Sequence, residues 1–321
     1  MEAKMLDDDA QPNRVIERLA QDMLDERRRA RRWNIFFRLL AFGFLFAALA
    51  AVFAAIGSRE HACLDKCTGV VEVRGELEAG GRASAERVIA GLQAAYKNTG
   101  TKGVVVRINS PGGSPVQAGQ INDEMRRLRA AHPDIPLYAV VEDIAASGGY
   151  YVAVAADKIY VDKASIVGSI GVIMEGFGFT GALEKLGIER RVVTAGANKA
   201  FLDPFEPVNP EQKAYIQGML DDVHQQFIAA VKEGRGSRLK ETDGMFSGLV
   251  WNGKRAVELG LADEVRGLES VAREVIKAEE MIDFTPEDNI AERVARRFGA
   301  AMAGQAAMIV RGVESGELRL R

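Results

Sequence analysis

The chain has 321 residues, of which 47% are hydrophobic and 27% charged, a composition typical of a folded globular protein and unlike that of a disordered one. Its 42 basic and 45 acidic side chains give a net charge of −3, which excludes the strongly basic surface of most nucleic-acid-binding proteins. Two cysteines and three histidines exclude a four-cysteine zinc site and leave little material for other metal sites, so no metal is expected. No cofactor is expected either.

An apolar segment without a charge, residues 39–57, is the first informative element. As a helix it extends about 28 Å at ~1.5 Å per residue, close to the ~30 Å thickness of a bilayer's hydrocarbon core. Arginines from Arg27 to Arg38 precede it, whereas basic and acidic residues balance after it. The positive-inside rule therefore predicts a single-pass helix in the lipid of the inner (cytoplasmic) membrane, with residues 1–38 cytoplasmic and the remainder periplasmic or extracytoplasmic. A buried helix of a soluble core is the alternative interpretation.

Residues 58–68 are a predicted linker that contains both cysteines, Cys63 and Cys67. In an oxidising compartment a small disulfide loop fits this spacing, and so do two independent thiols.

From residue 69 onward, short apolar segments alternate with helical patterns. The predicted strands are 70–73, 103–108, 137–141 and 158–161, and the predicted helices are 85–96, 116–128 and 149–156. Strands that are apolar on both faces and separated by helices predict a parallel sheet covered by helices, an α/β domain over residues 69–284. A helical extension is expected over residues 285–321. In such sheets ligands bind at the carboxyl ends of the strands.

Two glycine-rich turns follow predicted strands. In Asn109–Ser114 the amides of Gly112 and Gly113 can face a developing negative charge. In Ala145–Tyr150 small residues flank Ser147, and the amide of the next residue occupies the position that completes an oxyanion hole beside a nucleophilic serine. An ordinary strand-to-helix turn and a helix N-cap are the alternative interpretations of these two segments.

A nucleophilic serine needs a base, and the histidines are poor candidates. None of His61, His132 and His224 adjoins the end of a predicted strand. Lys199 is the alternative base, because it follows a strand predicted over residues 190–193. A lysine acts as a base only as a neutral amine, which apolar surroundings favour, and the following residues include Phe201, Leu202, Pro204 and Phe205. A solvated loop lysine is the other interpretation.

At these residues the chain resembles the signal peptide peptidase A (SppA) family of membrane serine peptidases. The resemblance extends from Gly69 to Gly267. The matching features are the N-S-P-G-G-S turn at 109–114, the A-S-G-G-Y-Y motif around Ser147, the S-x-V-G-S-I-G-V segment at 165–172, Lys199, the W-x-G-x-x-A segment at 251–256 and the G-L-A-D element at 260–263.

The resemblance implies a Clp-protease or crotonase-like fold of ββα repeats, in a short, single-repeat form. It implies Ser147 as nucleophile and Lys199 as base, with Ser169 orienting the lysine. The amides of Gly113 and Gly148 are expected to hold the oxyanion. The implied partners are peptide substrates, namely signal peptides left in the membrane after secretion, and further copies of the chain in a homo-oligomeric ring whose subunits complete each other's sites.

Two other functions fit parts of the sequence. A catalytically inactive scaffold would keep the same fold without the reaction. A crotonase-type acyl-CoA enzyme shares glycine-rich oxyanion turns, but it needs an acidic base and cytosolic CoA.

Overall fold

The computed structural model of the protein describes residues 23, 27–29, 31–48, 63 and 65–286. The chain divides into two compact units, residues 1–60 and residues 61–321. Most of the predicted N-terminal segment 1–38 and of the predicted C-terminal extension 285–321 lies outside the described residues.

In the first unit, residues 31–48 form a helix whose large apolar side chains, such as Phe42 and Phe44, are exposed. No helix within the described ranges combines the length and the apolar character that a membrane crossing requires. Of the predicted span 39–57, residues 49–57 lie outside the described residues.

The second unit is built on an eight-stranded sheet. Its strands are β1 (Cys67–Arg74), β2 (Thr101–Ser110), β3 (Leu137–Ala146), β4 (Lys158–Val161), β5 (Ile166–Gly168), β6 (Val250–Asn252), β7 (Glu264–Val265) and β8 (Met281–Asp283). The order is β6-β5-β3-β2-β1-β8, and β4 pairs with β3 and β7. Among the described strands, only the pair of β5 and β6 is antiparallel. The predicted α/β class with a mainly parallel sheet is confirmed.

Helices cover the sheet and leave the central strands buried on both faces. They are α1 (Ala85–Lys97), α2 (Pro115–Ala131), α3 (Gly148–Ala153), α4 (Thr180–Leu186), α5 (Pro210–Arg235), α6 (Gly253–Glu258) and α7 (Leu268–Ser270), with a 3-10 turn at Gly236–Arg238 and a π-helical turn at Val271–Ile276. Val104 and Val106 of β2 lie in the main core, whereas Val105 packs on the other face against Val140 and Val271. Burial on both faces explains why the strand is almost entirely apolar.

The S-x-V-G-S-I-G-V segment at residues 165–172 forms a strand only at Ile166–Gly168. Its last residue, Gly168, and the next residue, Ser169, have φ angles of +113° and +53°. Positive φ lies outside the strand region of backbone conformations, so the chain turns away from the sheet after Gly168.

The helix predicted over residues 149–156 begins at Gly148 and ends at Ala153. Beyond its end the amides of Ala155 and Ala156 donate to carbonyls three residues earlier. These tighter turns close the helix early.

The prediction of a strand over residues 190–193 is wrong. These residues have no strand partner in the described sheet, and Val193 is fully exposed. Arg190 instead forms an ion pair with Asp203 and lies 5.4 Å from the centre of the Phe205 ring. A strand requires a hydrogen-bonded neighbour, and an apolar sequence by itself does not supply one.

Cys63 and Cys67 form a disulfide, with their Cα atoms 5.9 Å apart. Cys67 is the first residue of β1, and its amide donates to the carbonyl of Gly100. Of the two possibilities that the spacing left open, the structure has the disulfide loop, which ties the chain before the domain to its first strand.

A buried ion pair connects the end of α5 to the loop after α6. Arg235, only 1% exposed, lies 2.8 Å from the carboxylate of Asp263 and donates to the carbonyl of Gly260. Tyr150 of α3 donates from its hydroxyl to the next carbonyl, that of Leu261, at 2.7 Å. Burial by itself would raise the pKa of Asp263, but the hydrogen bond and charge of Arg235 outweigh it, so this pKa lies below its usual value.

We expect Asp263→Asn to lower the free energy of unfolding by about 2–4 kcal/mol at neutral pH, because it leaves a buried cation without its partner. The pKa of Asp263 is lower in the folded chain, so its stabilisation is present above the unfolded-state pKa and is lost as pH falls through the folded-state pKa. Urea unfolding of both proteins across pH 2–7 should show the difference shrinking in acid. Asp243→Asn, an exposed aspartate, is the control and should change stability by less than about 0.5 kcal/mol.

Candidate active site

Ser147 lies at the sharp turn between β3 and α3. Its backbone has φ +50° and ψ −123°, a conformation that costs a non-glycine residue about 1–3 kcal/mol. Its amide donates to the carbonyl of Gly168 on the neighbouring strand at 2.8 Å. Although Ser147 occupies the N-cap position of α3, its hydroxyl makes no capping hydrogen bond. The structure therefore gives no support to the interpretation of this serine as a helix cap.

The two glycine-rich turns meet at this serine. A Cβ atom placed on Gly112 would lie 2.7 Å from the Cβ atom of Ser147 and 2.8 Å from the nitrogen of Gly148. Only a glycine allows such a close approach, and its φ of +113° also favours glycine. The pairing of β2 with β3 brings the two turns to the same edge of the sheet.

Two backbone amides beside Ser147 are free to bind an anion. The amide of Leu77 donates to the carbonyl of Gly112, and the amide of Ser114 donates to the carbonyl of Leu77. This pairing turns the amide of the intervening residue, Gly113, away from Leu77. Within the described residues neither this amide nor that of Gly148 donates a hydrogen bond to the protein. Unpaired amides of this kind can stabilise a developing oxyanion.

A cavity of about 450 Å³ opens at Ser147. Gly113, Ser147 and Gly148 line it together with residues of helices α2 and α5. The other lining residues are Pro115, Val116, Ala118, Gly119, Gln120, Asp123, Tyr151, Gly171, Val172, Ile173, Val223, Gln226 and Phe227. The cavity can hold a side chain next to a bond under attack by the serine.

Ser169 follows β5 and has a φ of +53°. Its amide donates to the carbonyl of Leu249 at 2.7 Å, which holds this turn against the segment before β6. Within the described residues no hydrogen bond joins Ser169 to Lys199, so its expected role in orienting the lysine stays a prediction.

Lys199 lies away from the Ser147 cavity in this single chain. It is exposed, in a turn that its own amide closes by donating to the carbonyl of Gly196 at 3.1 Å. Lys199 is not among the residues that line the cavity. One copy of the chain therefore brings the serine and the two amides together and leaves the lysine outside.

Three side chains in the cavity wall or next to it did not stand out in the sequence. His224 of α5 donates from Nε2 to the carbonyl of Ile170, 3.1 Å away and two residues after β5, although the sequence suggested that no histidine adjoins a strand end. Tyr151, four residues after Ser147, and Phe227 line the cavity and lie 5.1 Å apart between ring centres. The spacing of Tyr151 was a usable signal, since one helical turn separates it from the serine.

The described residues contain no group of three or more His, Cys, Asp or Glu side chains that could hold a metal ion.

Parts of the chain are similar to known proteins. A protein from Brucella melitensis, named Na(+)/H(+) antiporter NhaA, is 44% identical over 182 residues, which cover 57% of this chain and 25% of that protein. A protein from Enterococcus faecium named as a signal peptide peptidase SppA is 32% identical over 194 residues, which cover 60% of this chain and 56% of that protein. The chain thus spans a quarter of the length of the first relative and just over half of the length of the second.

Among solved structures, a membrane-bound stomatin-specific protease with a bound substrate peptide is similar in structure. The overlay covers 63% of this chain and 76% of the protease chain, with 16% sequence identity and a TM-score of 0.39.

The profile of peptidase family S49 matches residues 129–281. The matched segment contains Ser147, Ser169 and Lys199. Together with the similarity to the SppA relative, this match identifies residues 129–281 as a peptidase family S49 domain.

Proposed function

We propose that the chain is a serine peptidase of the SppA type, with Ser147 as its nucleophile. One observation carries the proposal: a strained serine stands at a strand-to-helix turn, beside a cavity and two unpaired amides. Strained backbone of this kind recurs at functional sites, where it holds a nucleophile exposed.

In the proposed reaction the Ser147 oxygen attacks the carbonyl carbon of a peptide bond while its proton passes to the neutral amine of Lys199. The carbonyl oxygen becomes an oxyanion, which accepts hydrogen bonds from the amides of Gly113 and Gly148. When the C–N bond breaks, the lysine returns the proton to the leaving amine. Water then hydrolyses the acyl-enzyme by the same steps and restores the serine hydroxyl.

The lysine in this proposal comes from a neighbouring copy of the chain. In a single copy Lys199 is exposed and outside the Ser147 cavity, so a second subunit is the natural source of the base. Ser169, close to the serine through the pairing of β3 with β5, would orient the incoming amine.

An exposed apolar surface supports assembly of several copies. Between β5 and α5 the chain exposes large apolar side chains, with Val193 fully exposed and Phe177 at 82%. Others in this region are Ile173, Met174, Leu186, Ile188 and Val208. Apolar surface of this extent is rarely left in water. A homo-oligomeric ring would cover it and place each Lys199 at a neighbour's site.

The proposed substrates are signal peptides left in the membrane after secretion, and other small or unfolded peptides. Residues 39–57 would anchor the enzyme in the inner membrane, with the N-terminus in the cytoplasm and the peptidase domain outside it. The disulfide between Cys63 and Cys67 supports this placement, because disulfides persist in oxidising compartments. An anchor also raises the effective concentration of a peptide that leaves the same bilayer. The proposal also includes the fold type: the α/β domain would have a Clp-protease or crotonase-like fold.

A fluorophosphonate probe, which reacts with activated serines, tests the proposal. The full chain should be labelled at Ser147, and Ser147→Ala should abolish the label, whereas the control Ser247→Ala should keep it. A membrane-impermeant probe should label the protein in intact spheroplasts. An unlabelled but folded protein would favour the inactive scaffold, and labelling only after the membrane is opened would reverse the proposed orientation.

A further inference from the structure

The cavity that opens at Ser147 extends along helix α2 to a carboxylate. The Cβ atom of Ala118 on this helix lies 3.4 Å from a Cβ atom placed on Gly148, the residue after Ser147, and Asp123 follows Ala118 by five residues. At ~1.5 Å per residue this separation is about 7.5 Å. Because an extended lysine or arginine side chain is about as long as this separation, it can extend from a residue held at Ser147 toward Asp123.

The walls between the serine and Asp123 are mostly apolar. Val116, Val223 and Phe227 provide apolar surface, and Ala118 and Gly119 leave width for a side chain. Such walls suit the methylene groups of a long side chain whose polar end needs a different partner.

Asp123 offers that partner, because its charge is not neutralised by the protein. Within the described residues Asp123 has no ion-pair partner, and the lining of the cavity includes no lysine, arginine or histidine. The nearest arginine along α2, Arg126, is held by Glu233, by the Asn122 side chain and by the carbonyl of Ala230.

The charge of the Asp123 carboxylate affects the pKa of Tyr151, a residue that lines the cavity. Burial raises the pKa of the Tyr151 hydroxyl, and the negative charge of Asp123 raises it further, whereas Arg126 lowers it. Asp123 is therefore close enough for its charge to be felt at the wall that Tyr151 forms.

We propose that this cavity binds a basic side chain, lysine or arginine, of the substrate residue whose carbonyl Ser147 attacks, and that Asp123 is the specificity-determining residue. The inference rests on the proposed peptidase function and adds a substrate class to it. Because Asp123 is solvent-exposed, the preference for a cation is moderate, about fivefold.

Two peptides that differ only at this residue, one with lysine and one with norleucine, provide the test. Norleucine keeps the aliphatic stem and lacks the amine. Binding of both to the full-length Ser147→Ala protein is measured by fluorescence anisotropy, and kcat/KM is measured with the unaltered enzyme. We expect lysine to be favoured about fivefold in both measurements, and less so at high salt.

Asp123→Asn should abolish the preference, and Asp123→Lys should reverse it toward a peptide with glutamate. Glu124→Gln is the matched control and should leave the preference unchanged, because Glu124 is held by Arg127 and Gln93 and does not line the cavity.

Equal affinities for lysine and norleucine, a preference that survives in Asp123→Asn, or no binding of either peptide would each overturn the inference. The binding measurement needs no reaction. A lysine preference in binding without any hydrolysis would therefore contradict the proposed peptidase function and support the binding of a basic side chain in the cavity. Hydrolysis without a lysine preference would contradict only the binding of a basic side chain.

Discussion

Ser147→Ala and Lys199→Ala are each expected to reduce peptide hydrolysis by several orders of magnitude, because nucleophile and base act as a unit. An assembly that contains both variants is expected to regain activity. If one subunit supplies Ser147 and the next supplies Lys199, a site works wherever an intact serine meets an intact lysine. Random mixing of equal amounts gives one half times one half, about a quarter of the wild-type sites in a head-to-tail ring.

Co-expression of the two variants with different tags, isolation of assemblies that carry both tags and a peptidase assay measure this recovery. Lys102→Ala, an exposed lysine at the start of β2, serves as the control and should keep full activity. Mixed assemblies with no recovered activity would show that the dyad does not form between neighbouring subunits. The exposed apolar surface between β5 and α5 would then need another explanation.

Gly112→Ala is expected to lower activity by about 100-fold or more, although position 112 carries no catalytic group. The added methyl would lie 2.7 Å from the Cβ atom of Ser147, so the serine turn must shift, and a displacement of about 1 Å can cost that much in rate. The backbone φ of +113° adds strain, and we expect a loss of about 1–3 kcal/mol of stability. Activity assays on folded protein and thermal unfolding separate the two effects.

Gly236→Ala is the matched control for this prediction. Gly236 also has a positive φ, +52°, but a methyl there would meet no atom within 4 Å. The Gly236→Ala protein should lose some stability and keep its activity. If Gly112→Ala retained normal activity, the close approach of the two turns would have no role in positioning Ser147.

The sequence alone was enough to determine the α/β class with its mainly parallel sheet and to find the two turns. Strands such as β2 are buried on both faces, and burial of that kind leaves a continuous apolar segment that is visible locally. The glycines of residues 112–113 and 148–149 are visible for a similar reason, because a tight approach of backbone to backbone excludes side chains. Local chemistry imposes these features, so they can be recognised without knowledge of the fold.

Tertiary structure alone decided what surrounds the serine. Strand pairing brings the turn at Gly112 against Ser147. The packing of α5 places His224 beside Ile170 and, separately, places Phe227 in the cavity wall. The apolar segment 190–193 looked like a strand but has no partner in the described sheet, and Lys199 beyond it lies outside the cavity. Contacts of this kind join residues distant in sequence. They depend on which elements pair and pack, and no local pattern of residues specifies that choice.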